Sequence, residues 1–139
     1  MKRKIYFLIP LAALLAFLSL TACTSAPVYA AGTEKDQAVA AVTPFTQDIL
    51  NGLQKNDYGL FSKDFNPNMV KNFPQDSFTK MVSYFADYGA FVSSELTSVQ
   101  IVDPYYQVNY KVTFAKKVLT MGVLIPKTGT AVVSGLWFE

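Results

Sequence analysis

The side chains that do acid–base or covalent chemistry are sparse in this sequence. Its 139 residues include no histidine and one cysteine. Without imidazole, general-base work falls to carboxylates, and histidine ligation of a metal is excluded. A single cysteine excludes an internal disulfide and a cysteine cluster for zinc. Asp57 beside Tyr58 is the best local acid–phenol pair, and an Asp base with a Tyr donor is the equipment of isomerase chemistry. Both sit at an expected helix end, where Asp commonly serves the backbone instead. Asp87 is the other candidate base, and Asp48, Asp64, Glu95 and Asp103 complete the carboxylates weighed for this role. Tyr58, Tyr88 and Tyr110 are the candidate ligand-binding residues. A ring with a hydroxyl suits an apolar ligand bearing one polar group, but the same rings also fill helix–sheet interfaces.

Other patterns carry less. Asp64, Asn66 and Asn68 alternate as calcium-loop ligands do, but the glycine and distal glutamate of such a loop are missing and Pro67 intrudes. Ser77 and Lys80 form a Ser-x-x-Lys sequence without companion motifs. Lys111, Lys116, Lys117 and Lys127 gather in the strand region, where lysines keep edges soluble as readily as they meet anionic lipid. No metal and no cofactor are expected.

The N-terminal segment is more informative. Met1-Lys2-Arg3-Lys4 is basic, and Ile5 to Leu20 is mostly apolar, the order of an export signal. Leu20-Thr21-Ala22-Cys23 follows at once. This tetrapeptide resembles the lipobox of bacterial lipoproteins. The resemblance implies cleavage before Cys23, acylation of its sulfur, and an anchor on the extracytoplasmic face of a cell membrane. The chemistry is consistent: a thiolate is a strong nucleophile, and two or three acyl chains anchor durably where one does not. The competing pattern is ordinary cleavage after Val28-Tyr29-Ala30. Once residues 1–22 are set aside, nine lysines and no arginine face ten acids, a net of −1. That balance argues against a nucleic-acid partner. The partners expected are the bilayer through acylated Cys23, and an envelope protein, a small apolar ligand or a second copy of the chain.

The organisation expected is a leader over residues 1–22, a flexible Ala/Thr/Ser-rich tether over 23–35, and one domain over 36–139. Thr43-Pro44 resembles a helix start; Phe45, Ile49, Leu50 and Leu53 follow a helical period to an end near Gly59. If that helix begins at Asp36 instead, Val39 extends the same face. Leu60 to Met69 reads as short helical turns around Asn66-Pro67. Pro74 opens a further helix with Phe78, Met81, Val82, Phe85 and Tyr88 on one stripe, closed by Gly89. From Phe91 the period becomes two. Tyr106, Val108, Tyr110, Val112 and Phe114 make the cleanest half-buried strand. Val118 to Ile125 and Thr130 to Phe138 read as the last two strands.

The fold class is therefore α+β, with N-terminal helices packed on a four-stranded antiparallel sheet. This order resembles the nuclear transport factor 2-like superfamily. The marks are Leu53 to Tyr58, Phe61, Phe65, Phe78, Gly89, the Tyr110–Phe114 strand and Gly135-Leu136-Trp137-Phe138. The resemblance implies a curved, cone-like sheet around a cavity. The superfamily holds isomerase- and dehydratase-like enzymes beside non-enzymatic accessory domains. No catalytic residue carries over. The expected function is a membrane-tethered extracytoplasmic binding or accessory domain, with a small isomerase- or dehydratase-like enzyme as the alternative.

Overall fold

The computed structural model describes residues 26–139. The leader and Cys23 lie outside the described residues. Strand β1 (Val28–Tyr29) comes first and leads directly into helix α1 (Gly32–Lys55). Two short helices, α2 (Tyr58–Phe61) and α3 (Pro67–Asn72), and a longer one, α4 (Gln75–Ala86), precede β2 (Phe91–Val102), β3 (Tyr105–Phe114), β4 (Val118–Pro126) and β5 (Gly135–Phe138). Strand β1 and the first residues of α1 therefore fall inside the segment read as tether.

Helix α1 passes straight through Pro44, the residue expected to open it. Pro44 has no N–H to give the carbonyl of Ala40, and both residues are exposed rather than in the core. The buried positions Ala38, Val42, Thr46, Ile49 and Leu50 hold one face throughout. The helix ends at Asn56, not at Gly59: Asn56 is left-handed (φ 53°), and its N–H reaches the carbonyls of Gly52 and Leu53. Gly52 lets α2 turn back closely, since a Cβ there would lie 2.5 Å from the backbone nitrogen of Phe61. The caps of the next helices are side chains. Asp57 Oδ1 accepts from the N–H of Leu60 at 3.0 Å, and Asn66 Oδ1 accepts from Met69 at 2.8 Å.

The strands form one sheet in the order β1-β2-β3-β4-β5, each pair antiparallel. The sheet has five strands, not four, because the two-residue β1 adds to β2 through Val28↔Ile101 and Tyr29↔Gln100. It is open, neither closed nor curled. This overturns the cone-like architecture and, with it, the resemblance to the nuclear transport factor 2-like superfamily. Strong coiling needs bulges distributed across a sheet. Here the register shifts fall in β2, at Phe91/Ser93 and Leu96/Ser98, while β3 and β4 pair without interruption from Tyr105↔Pro126 to Thr113↔Val118. The membrane expectation gains no spanning helix: no helix among the described residues is long and apolar enough to cross a membrane.

One face of the sheet is the core. Val99, Val108, Val112, Met121, Val123 and Ile125 are buried on it, and α1 crosses it over β2, β3 and β4. Helix α4 covers only the end near Phe114, where Phe85 lies 5.8 Å from Phe114 and 5.0 Å from Phe138 by ring centroids. The other face is open. Its middle is a polar ladder in which Gln107 donates to Asn109 Oδ1 (3.2 Å) and Asn109 donates to Ser98 Oγ (3.0 Å). Beside the ladder the indole of Trp137 lies over Gly122, occupying the place a Cβ would take; only glycine admits this.

Candidate functional site

The site begins with the way α4 is held. Its contacts run through long side chains rather than close backbone approach. Phe78 is buried, whereas Met81, Val82 and Phe85 are half-buried. Space is left on both sides of Phe85. On the α1 side is a cleft of about 350 Å³, walled by Leu50, Leu53 and Gln54 from α1, by Val82, Phe85 and Ala86 from α4, and by Phe91 and Phe114 at the sheet end. On the β5 side is a second cleft of about 270 Å³, where Met69, Phe73, Met81, Leu136 and Phe138 surround the other side of Phe85. Among the described residues Gln54 is the single polar side chain in the first wall, and no Asp, Glu or Lys of the described residues lines either cleft.

The tyrosines singled out from the sequence stand apart from both clefts. Tyr58 donates its hydroxyl to the carbonyl of Phe73 at 2.8 Å and tilts against Phe78 at 5.6 Å; it ties α2 to the loop before α4. Tyr88 stacks on Phe85 at 5.4 Å, and Lys117 Nζ lies 4.6 Å from its ring centroid and 3.3 Å from its hydroxyl. Tyr110 is buried beneath α1, and its hydroxyl and that of Thr46 have no hydrogen-bond partner among the described residues. Burial raises the Tyr110 pKa above the usual 10.0, with the nearby hydroxyls of Thr46 and Thr43 pulling the other way. The structure does not bring the three tyrosines together.

The carboxylates are similarly dispersed. Asp57 is occupied as the α2 cap, and Asp87 is an exposed helix end. Asp48 pairs with Lys63 at 2.9 Å, Glu95 with Lys111 at 3.5 Å and Asp103 with Lys127 at 3.0 Å, all at the surface. Asp64, the first member of the calcium-like alternation, has its pKa raised chiefly by desolvation. Asn66, the second, is spent on Met69 and Ser134. No group of three or more acidic or cysteine side chains is placed to hold a metal among the described residues. Ser77 and Lys80 are on α4, outside both clefts.

What this arrangement offers is apolar enclosure without an acid, base or cation in its walls. Sequence reasoning placed Leu50, Leu53, Val82 and Phe85 in the core. Their cleft carries no polar signature that would have separated it from packing.

Comparison of the chain with protein-family models, with curated proteins and with solved structures finds no match.

Proposed function

We propose that this chain is a membrane-tethered extracytoplasmic binding domain. It is anchored through acylated Cys23 and takes a small apolar ligand, or an apolar group of an envelope protein, in the cleft between α1 and α4. The observation that carries the binding half is the cleft of about 350 Å³ with no ionisable group in its wall. That size is at the small end of ligand sites, which run from about 300 to 1,000 Å³. Gln54 supplies one amide to orient a polar end, and the rest of the wall rewards hydrocarbon.

The anchoring half draws support from β1. Cleavage after Ala30, the competing signal, would remove Val28 and Tyr29, which pair with β2. It would also remove Ala30, which is buried and donates its N–H to the carbonyl of Val99 at 2.9 Å. Cleavage before Cys23 leaves this edge whole.

A photoactivatable fatty acid tests the cleft on the membrane-bound chain. Crosslinks are expected on peptides that contain Leu50–Gln54 and Ala86–Phe91, and Ala86→Trp, which fills the space from an exposed helix position, should abolish them. Crosslinking that ignores Ala86→Trp sinks the reading. The mass of the mature amino terminus tests the anchor: a diacylglyceryl group on Cys23 is expected, and an unmodified chain beginning at Ala31 rules it out.

A further inference from the structure

The link between Cys23 and the folded unit is short. Val28, where β1 begins, is five residues beyond Cys23. A chain advances at most about 3.6 Å per residue, so β1 starts within roughly 18 Å of the Cys23 Cα whatever path residues 24–27 take. A domain of this length has a radius of gyration near 13 Å, comparable with that reach. Such a domain cannot carry its β1 edge to the side remote from a surface to which Cys23 is fixed.

The surface at that edge fits the constraint. Val28 and Tyr29 are 60% and 54% exposed, and Val102 is 44% exposed. Tyr29 pairs with Gln100, and Val102, two residues along, shares the open face with it; diagonal neighbours of this kind are within side-chain reach. Tyr105 is opposite Val102, and Pro126 is opposite Tyr105. This corner of the open face is aromatic and aliphatic and carries no charge. Asp103 and Lys127, in the adjoining turns, neutralise each other at 3.0 Å. The far end of the same face differs, with Lys111 and Glu95 paired across it and Thr120 exposed. Lys116 and Lys117 lie in the β3–β4 turn, also away from the tether. Tyrosine with aliphatic neighbours is the composition favoured at the boundary between headgroups and acyl chains.

We infer that the corner of the open face formed by Tyr29, Val102 and Tyr105 rests on the interfacial zone of the bilayer that holds the acyl chains of Cys23. The inference rests on the acylation reading above. The contact is apolar and aromatic, not electrostatic, because Lys111, Lys116 and Lys117 are at the opposite end and Lys127 is paired with Asp103.

The test uses the full acylated chain in lipid vesicles. Acylation consumes the sulfur of Cys23, so Tyr29→Cys or Val102→Cys supplies the sole free thiol for a bimane label, with Lys111→Cys and Thr120→Cys as far-end controls. Vesicles contain a lipid with a nitroxide high on its acyl chain. Quenching several-fold stronger at Tyr29→Cys and Val102→Cys than at the controls is expected, in zwitterionic and anionic vesicles alike. Equal quenching at the two ends overturns the inference, as does corner quenching confined to anionic vesicles. Weak quenching at the corner by both lipid nitroxide and aqueous iodide means that a protein covers it, and also overturns the inference. Intact mass separates the two levels: an acylated chain without corner quenching defeats this inference alone, whereas an unacylated chain defeats the anchor and this inference together.

Discussion

Tyr110 illustrates how a residue chosen for chemistry turns out to serve packing. Its position on an alternating strand shows that it faces the core, and it does. Nothing in the strand pattern shows that α1 would lie across it and leave two hydroxyls, Tyr110 Oη and Thr46 Oγ1, without partners among the described residues. An unpaired buried hydroxyl costs about 1–3 kcal/mol. Tyr110→Phe should therefore leave stability unchanged or raise it by up to about 1 kcal/mol, and more when combined with Thr46→Val. The pH dependence has a definite sign. Burial raises the folded pKa above the usual 10.0, so at alkaline pH the unfolded chain loses the phenol proton first. Stability from this group is intact below about pH 10 and falls as pH rises through that value. Denaturant midpoints at neutral and alkaline pH check both statements. A neutral-pH loss well above 1 kcal/mol, or an alkaline loss that Tyr110→Phe does not diminish, contradicts them.

At the scale of elements, periodicity was readable and punctuation less so. The stripe from Phe78 to Phe85 and the alternation from Tyr106 to Phe114 correspond to α4 and β3 because one period dominates each. Strand β1 is too short to show a period. Its pairing depends on Gln100 and Ile101, distant in sequence. Pro44 reads locally as a helix start, yet α1 continues through it because the buried face from Ala38 to Leu50 is continuous and Ala40 and Pro44 are on the exposed side. A proline inside a helix costs about 3 kcal/mol relative to alanine, offset in part by a stiffer unfolded chain. Pro44→Ala should stabilise the domain by about 1–2 kcal/mol without altering the amide exchange pattern elsewhere. A lower midpoint in thermal unfolding would show that the helix needs the proline where it is.

For the whole molecule, the alternation of buried and exposed residues showed which face each strand presents but not how far the sheet coils. A cone and an open sheet share that alternation, and the difference rests on where bulges interrupt pairing. The clefts were illegible for a related reason: their walls come from α1, α3, α4 and strands β2, β3 and β5, and every described wall residue except Gln54 looks like core. Phe85 is the element common to both. Its ring meets Phe114 and Phe138 and stands between a space of about 350 Å³ and one of about 270 Å³. Removing a well-packed phenylalanine costs about 3–5 kcal/mol when it is fully buried; Phe85 is half-buried, so Phe85→Ala should cost about 2–3 kcal/mol. The more telling consequence is spatial. With the dividing ring gone, the two clefts join beneath α4, and a photoactivatable fatty acid that marks Leu50–Gln54 and Ala86–Phe91 in the wild type should extend its crosslinks to the peptides of Met69, Phe73 and Leu136–Phe138. Because the variant is less stable, the comparison belongs well below its unfolding midpoint. If crosslinks in Phe85→Ala stay on the α1 side, Phe85 is not the partition; if they vanish while the domain remains folded, the ring itself is the ligand's main contact and the cleft depends on it.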